Sequence, residues 1–458
     1  MKPFTSFIQQ LFQKNEATLS ITPQLHERRK SALAYFLSKE LPAKKEENWR
    51  HKAIDQLTED RYLFQTSPSQ FRPIEYFFKC NIKNIDTQMF AFFNGWYVHQ
   101  NEPLTVMENG VIIGSVIAAM QQYPELVWKY MFKIDLEKED GTLALNEALF
   151  SDGIFIYIPE NVHVKKPIQI VSVAEGNKNL MIQHRHLVVV DKNASLSFIH
   201  CDDSLGEEKS LINNVIEISL AENALLHYYK MENKDAASLL MNNATVSVAK
   251  NAQFYSHAIT FNGGYIRNRL QVNLNAPQSL ARLYGLYLVD KKQYVDNQVL
   301  VRHNAPNCSS SQLYKGIADE QAGANFSGHI IVQKNAQNTA AFQTNKNIAL
   351  TNDAKITTHP FLEIYADDVK CSHGATIGQL DEDAMFYLRT RGICKRNARM
   401  LLMYAFAKEV ANYVEIDLLR KRLNIMIKKR LSGELTICDQ CVLHCSNEKA
   451  FVFDIETP

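Results

Sequence analysis

A recurring pair of residues, Asn followed by Ala, constrains the fold of this chain more than any other feature. Among these pairs are those that start at Asn193, Asn223, Asn251, Asn275 and Asn335. The first three intervals between them are 30, 28 and 24 residues. Asn tolerates the left-handed backbone conformation that a sharp corner needs, and Ala takes little room behind it. A repeat of this length indicates a solenoid, in which each unit packs only on its neighbours.

The segments between these corners alternate between apolar and polar residues. Ile216, Ile218 and Leu220 are separated by single polar residues, and the pattern returns at residues 270–274 and 326–332. A period of two predicts strands with one buried face and one solvated face. Short strands joined by repeated corners favour a β-helix. A β-sandwich with frequent Asn turns is the alternative.

The chain divides into four regions. Residues 1–150 are predicted to be mainly helical or mixed, and residues 151–380 to form the β-helix core. Residues 381–432 carry apolar residues at helical spacing, and residues 433–458 form a polar tail that contains cysteines. The predicted fold class is therefore mainly β, with helical regions before and after the core.

Charge, hydropathy and missing motifs argue against several classes of function. The chain has 458 residues and a formal net charge of +1, so no strong field attracts nucleic acid or a membrane. The apolar residues 111–120 are too few to span a bilayer, and the chain start lacks the apolar core of a secretory signal. A cytoplasmic location is predicted. Neither a phosphate-binding loop nor a Gly-x-Ser-x-Gly motif is present, so no ATPase or hydrolase activity is predicted.

Cys371 and His373 form the first candidate site. If they lie on a strand, their side chains point to the same face. A thiolate and an imidazole together bind a soft or borderline metal such as iron or zinc, and an imidazolium also lowers the pKa of a neighbouring thiol. Two ligands do not close a metal site, so a partner has to supply the rest. A buried thiol beside a hydrogen-bonded histidine is the alternative.

The other cysteines are weaker candidates. Cys308 lies in a polar loop, where a small residue packed at a corner is the favoured interpretation. In the tail, the spacing of Cys438 and Cys441 fits a metal-binding knuckle, and Cys445 follows nearby. No second pair of this kind exists, so exposed reduced thiols are favoured there over metal ligands.

The predicted C-terminal helices are basic. The charges are Arg389, Arg391, Lys395, Arg396, Arg399, Lys408, Arg420, Lys421, Arg422, Lys428, Lys429 and Arg430. Nucleic-acid binding is one interpretation, but no aromatic residues interleave these charges as a base-stacking surface requires. A solvated face, or a docking face for an acidic partner, is favoured.

Residues 363–378, with the sequence EIYADDVKCSHGATIG, resemble the SufD-type members of the SufB/SufD family of iron–sulfur cluster assembly proteins. Further matching segments lie at residues 312–317 and 386–393, and the resemblance covers most of residues 40–430. Gly374 stands where SufB-type members carry a Glu in a His-Glu-Ala-Thr segment, which favours the SufD type. The cysteine-rich tail departs from the usual family ending.

This resemblance implies a right-handed parallel β-helix between helical regions, and a non-catalytic scaffold subunit. It implies a complex with a SufB-like paralogue and a SufC-like ATPase, which alone would use ATP. The C-terminal helices would dock the ATPase, and the end of the β-helix would meet the paralogue. A nascent iron–sulfur cluster would form transiently there, at His373 with Cys371 beside it, completed by ligands from the paralogue. A homodimer of the isolated chain and flavin binding are left open.

Two alternatives remain at this point. One is a SufB-like scaffold that assembles clusters unaided. The other is a β-helix enzyme that acts on polysaccharides, which needs clustered carboxylates along a groove. Asp367 and Asp368 are the only suggestive pair of carboxylates for such a groove.

Overall fold

The computed structural model describes residues 3–42, 49, 62–68, 86–99, 101–175, 179–205 and 209–432. The helices within these ranges are α1 (Pro3–Leu19), α2 (Pro23–Lys39), α3 (Val116–Gln122), α4 (Pro124–Tyr130), α5 (Gly141–Leu149), α6 (Glu382–Thr390), α7 (Lys395–Ala411) and α8 (Asp417–Ser432), with a short 3-10 turn at Leu136–Lys138. None of these helices is both long and apolar enough to cross a membrane.

The first strands are β1 (Leu63–Phe64), β2 (Gln88–Phe93), β3 (Trp96–Tyr97), β4 (Leu104–Val106), β5 (Ile112–Ser115), β6 (Ile154–Ile158) and β7 (Ile168–Glu175). The long strands that follow are β8 (Leu180–Val190), β9 (Ser195–Leu205), β10 (Ser210–Leu220), β11 (Leu225–Asn233), β12 (Leu239–Val248), β13 (Gln253–Asn262), β14 (Tyr265–Leu274), β15 (Leu280–Val289), β16 (Tyr294–His303), β17 (Ser309–Ala318), β18 (Gly323–Val332), β19 (Thr339–Ala349), β20 (Lys355–Ile364) and β21 (Val369–Gly378).

From β6 onward the strands alternate between two facing sheets. Even-numbered strands form one sheet in the order β20-β18-β16-β14-β12-β10-β8-β6, and odd-numbered strands form the other from β21 down to β7. From β8 onward, each strand pairs in parallel with the strand two before it, as β12 does with β10 through Leu239 and Leu211. Two strands thus make one coil, and about seven coils stack into a solenoid. The predicted β-helix is confirmed, and the alternative of a β-sandwich is not. The right-handed sense of the coil stays a prediction.

Corner residues in the left-handed conformation join the coils. The φ angle is 55° at Asn193, 59° at Asn223 and 57° at Asn251. Their amides also bond along the stack: Asn223 Nδ2 donates to Asn193 Oδ1 at 2.8 Å, and Asn251 Nδ2 donates to Asn223 Oδ1 at 3.1 Å. The alanines that follow are buried. These three Asn-Ala pairs therefore have the predicted corner role.

The Asn-Ala pairs that start at Asn275 and Asn335 do not occupy this corner position. The left-handed residue is Gln278 rather than Asn275 at one corner, and Asn338 rather than Asn335 at another. The corner requires one left-handed residue directly before the small residue that leads into the strand. At the first of these corners that small residue is Ser279, so the pair at Asn275 lies too early in the chain.

Both ends of the chain pack on the outer faces of the solenoid. Helices α1, α2 and α5 lie against the even-numbered sheet, where their apolar side chains meet Met181, Leu211 and Met241. Helices α7 and α8 lie against the odd-numbered sheet, around Ile259 and Leu286. Burying one apolar face of each helix in this way supplies most of its stability.

The strands before residue 150 extend the two sheets. β2 pairs in parallel with β7, and β5 pairs in antiparallel fashion with β6. The N-terminal region is therefore mixed, and it closes the first coil. Buried Arg185 also ties α5 to the solenoid, because it lies 3.2 Å from Glu147 Oε2 and 2.6 Å from Glu217 Oε1.

Candidate functional site

No described segment of the chain covers the far end of the solenoid. β20 and β21 are the last strands of their sheets, and every residue of β21 is at least partly exposed. Four large apolar side chains, Phe361, Ile364, Tyr365 and Ile377, are between 39% and 59% exposed here. A strand edge with unpaired backbone groups and apolar neighbours is a surface that proteins normally cover.

Cys371 and His373 both belong to the inward-facing row of β21. Cys371 is in register with buried Ala341, and His373 with buried Gln343, on the neighbouring strand β19. The shared face predicted from their spacing is therefore present. Because no further coil follows β21, the inward-facing row opens to solvent at His373, whose side chain is exposed.

The Cys371 thiol is half-buried. Its neighbours are apolar and include Ala336, Ala341 and Ala366. Burial raises the pKa of this thiol, and only a backbone hydrogen bond from Ala341 opposes the rise. A raised pKa favours the protonated thiol over the thiolate.

The described part of the chain contains no group of three or more His, Cys, Asp or Glu side chains arranged to hold a metal ion. Cys371 and His373 thus supply two donors of the soft and borderline kind that iron accepts. Among the described residues, no further donor completes a metal site with these two. Asp367 and Asp368 likewise belong to no such group.

Cys308 is a corner residue. It is 1% exposed, and its Sγ lies 3.1 Å from Ser279 Oγ, the small residue at the same position one coil earlier. The structural interpretation of this cysteine is therefore the right one. Cys438, Cys441 and Cys445 lie outside the described residues, so metal binding by the tail stays a prediction.

The basic C-terminal helices do not form one uniform solvated face. Arg430 is buried and bonds to the Asp290 carboxylate at 2.6 Å, and Arg399 lies 3.4 Å from Asp319. Exposed Leu418 and Ile425 interrupt the remaining charges on α8. Such a mixture of cations and exposed apolar side chains is typical of a protein-docking face.

Comparison with known proteins identifies the family. A family model described as "SUF system FeS cluster assembly, SufBD core domain" matches residues 172–406. A second, described as "SufBD protein N-terminal region", matches residues 1–170. The chain belongs to the SufBD family. The core-domain match includes almost all of the solenoid and most of the helix α7 that packs on it.

Several relatives extend over most of this SufBD-family chain. The iron–sulfur cluster assembly protein SufD of Escherichia coli is 28% identical over 407 residues, covering 88% of this chain and 92% of that protein. The SufD protein of Bacillus subtilis is 25% identical, covering 77% and 81%. The chloroplastic protein ABCI7 of Arabidopsis thaliana is 26% identical, covering 88% and 86%. The SufD-type resemblance is confirmed, and a role in iron–sulfur cluster assembly follows.

The SufBD core also contains a buried polar cluster that the sequence analysis did not predict. Lys230 forms an ion pair with Asp202 inside the solenoid, and its Nζ lies 3.1 Å from His200 Nε2. Burial lowers the pKa of His200 to about 4, so its ring is neutral. Glu232 accepts hydrogen bonds from Thr260 at 2.6 Å. The cluster could have been predicted from the sequence, because charged residues occupy positions that the alternation of these strands turns inward.

Proposed function

We propose that this chain is a non-catalytic scaffold subunit of a complex with a SufB-like paralogue and a SufC-like ATPase. In that complex it supports the assembly of a nascent iron–sulfur cluster at its interface with the paralogue. The observation that carries the proposal is His373, exposed on the inward row of the uncovered last coil, with Cys371 beside it.

The open end suits a partner with the same architecture. A paralogous solenoid presents a matching strand edge, so the two could pair backbone groups and bury Ile364, Tyr365 and Ile377. A second copy of this chain presents the same edge. We therefore also propose a homodimer through this face for the isolated chain, and exchange of that copy for the paralogue in the complex.

The nascent cluster is the cargo of this interface. His373 supplies one imidazole donor, and the protonated thiol of Cys371 has to lose its proton before it binds iron. A metal lowers the pKa of a coordinating thiol, so iron delivery itself promotes that step. Cysteines or carboxylates of the paralogue complete the coordination, because two donors from this chain leave the site open.

Energy from ATP reaches the site only through the partner ATPase in this proposal. The basic helices α7 and α8, with exposed Leu418 and Ile425, form the docking face for it. Both helices pack on the odd-numbered sheet that ends in β21, so movement of the docked ATPase is transmitted toward the strand of His373. The complex acts in the cytoplasm.

The test is His373→Ala in the co-purified three-chain complex. Cluster formed from ferrous iron and sulfide without oxygen is measured by visible absorbance. We expect the complex to assemble at unchanged stoichiometry, because His373 is exposed and supports no core packing. We expect cluster yield to fall by roughly tenfold or more, since even loss of an outer partner of a metal ligand costs that much.

His163→Ala is the matched control, because His163 is an exposed histidine at the opposite end of the solenoid. It should leave the yield unchanged. Equal yields from the wild-type and His373→Ala complexes would disprove the role of His373. A cluster that forms at full yield on the isolated chain would instead favour the SufB-like, self-sufficient scaffold.

A further inference from the structure

Two glutamines lie directly beneath His373 on the inward-facing row. Gln343 of β19 is in register with His373 of β21, and Gln312 of β17 is in register with Gln343. Neighbouring strands are about 4.8 Å apart. Gln343 is 2% exposed and Gln312 is 3% exposed. The exposed histidine is therefore the outermost member of a row whose next two members are buried primary amides.

Neither amide has a hydrogen-bond partner among the residues that the structure describes. Nε2 and Oε1 of Gln343 are unpaired, and so are Nε2 and Oε1 of Gln312. Across the interior, the Thr358 hydroxyl of β20 is also buried and unpaired. Each such group costs on the order of 1–3 kcal/mol when it stays unsatisfied. Three side chains with unpaired polar atoms therefore lie on β17, β19 and β20, close to the open end of the solenoid.

This arrangement differs from that of a row of asparagines deeper in the solenoid. Deeper in the solenoid, Asn214 Nδ2 donates to Asn242 Oδ1 at 3.0 Å, and Asn242 Nδ2 donates to Asn268 Oδ1 at 2.9 Å. Stacked amides in a parallel coil can thus satisfy one another along a row. Gln312 and Gln343 also lie in one row, yet their amides do not bond to each other.

Gly328 makes room for the Gln343 amide. A Cβ atom at Gly328 would lie 1.5 Å from Gln343 Nε2 and 2.9 Å from a ring carbon of Phe326. Gly328 belongs to β18 of the opposite sheet, so the Gln343 side chain reaches across the interior. A glycine in the middle of a strand weakens it, and here its absent side chain leaves the space that the amide nitrogen occupies.

The chemistry of the site indicates what pairs with Gln343. An amide N–H is a donor, and the species proposed to form at His373 contains sulfide and thiolate sulfurs that accept hydrogen bonds. Donors to these sulfurs stabilise the reduced cluster and raise its reduction potential. A hydrogen bond to a charged acceptor is also stronger than one between neutral groups.

We propose that Gln343 is a positioning residue for the cargo, whose side-chain amide donates a hydrogen bond to a sulfide or thiolate sulfur of the cluster held at His373. The inference rests on the proposed function, because it requires a cluster at His373. His373 and Cys371 would bind iron atoms of the cluster, whereas Gln343 would contact a sulfur atom.

Gln343→Met tests this proposal, with Gln312→Met as the matched control. Both changes replace a buried amide in the same row by an apolar side chain of similar size. Both remove unpaired polar atoms, so we expect both proteins to fold with unchanged or higher thermal stability. The control position lies one strand farther from His373.

Both variants are loaded anaerobically with ferrous iron and sulfide in the three-chain complex. We expect Gln343→Met to lower the reduction potential of the cluster and to shift its visible absorption. We also expect roughly tenfold faster loss of iron to a chelator, the factor that corresponds to one charge-assisted hydrogen bond. The Gln312→Met complex should match the wild type in all three measurements.

Three outcomes would overturn the proposal. An unchanged potential and chelation rate in Gln343→Met would mean that an ordered water, not a sulfur, satisfies the amide. Equal changes in both variants would show a general effect of the interior. If the wild-type complex forms no cluster, or if His373→Ala leaves it unchanged, the proposed function fails first and this inference fails with it.

Discussion

Single residues at the corners determine whether the chain can coil. Asn223 has a φ of 59°, in the region that residues with a Cβ atom other than Asn and Asp avoid. Its amide also bonds to the corner residues Asn193 and Asn251 of the coils on either side. One side chain thus satisfies a backbone requirement and joins three coils.

Replacing Asn223 separates these two roles. We expect Asn223→Ala to destabilise the protein by about 1–2 kcal/mol, because Ala disfavours the left-handed conformation and lacks the amide. Asn223→Gly also lacks the amide but adopts a positive φ freely, so we expect a smaller loss. Chemical denaturation followed by circular dichroism measures both. Equal losses for Ala and Gly would show that backbone conformation is not the larger factor.

At the scale of elements, α8 is attached to the solenoid through Arg430. This side chain donates from Nε to the Phe261 carbonyl at 2.8 Å and from Nη1 to Asp290 Oδ2 at 2.6 Å. Burial acts to raise the pKa of the Asp290 carboxyl, but the hydrogen bond and charge of Arg430 outweigh it and hold that pKa below its ordinary value. Arg430 therefore holds α8 against the solenoid, although the basic sequence of this helix suggested that the side chain would be solvated.

We expect Arg430→Met to destabilise the protein by about 2 kcal/mol, because it leaves a partly buried carboxylate and the Phe261 carbonyl without their partner. Arg420→Met is the control: Arg420 pairs with Asp417 on the surface of the same helix, where such pairs contribute about 1 kcal/mol or less. Denaturation midpoints at neutral pH measure the difference. Similar losses for the two variants would contradict the anchoring role of Arg430.

The ion pair between Arg430 and Asp290 predicts that the stability of the fold depends on pH. Because the folded-state pKa of Asp290 lies below its unfolded value, the contribution to stability is complete above the unfolded pKa, near 3.9. It is lost as the pH falls from there through the folded-state pKa. Wild-type protein should therefore lose more stability than Arg430→Met on acidification through this range. Parallel pH profiles for the two proteins would refute the linkage.

At the scale of the whole molecule, the solenoid has one covered end and one open end. The N-terminal region adds strands to both sheets before the first full coil, whereas nothing in the described chain covers β20 and β21. A solenoid with an unprotected last coil exposes strand edges and apolar side chains. The proposed partner therefore completes the fold of this chain as well as its site.

A charge on the open end tests this requirement. We expect Ile377→Glu to reduce binding of the SufB-like paralogue by roughly tenfold or more, because the new carboxylate would be buried in the interface. Val106→Glu, at an exposed position of β4 near the other end, should have no effect. Sedimentation of mixed chains measures complex formation, and circular dichroism checks the fold. Full binding by Ile377→Glu would place the paralogue on another surface.

The sequence by itself determined the features that depend on near neighbours. The Asn-Ala spacing and the alternation in segments such as 216–220 predicted the coils, because corners and strand faces are set by a few consecutive residues. The same alternation placed Cys371 and His373 on one face. Family resemblance at residues 363–378 then connected that face with iron–sulfur chemistry.

Only the tertiary structure decided which side chains contact one another and which are exposed. Register across coils places Gln343 beneath His373, although about thirty residues separate them, and packing of α8 buries Arg430. The last coil is open because no later segment of the described chain packs on it, so His373 is exposed while Cys371 is half-buried with a raised thiol pKa. Such contacts depend on the sum of many distant interactions, and no local pattern of residues encodes that sum.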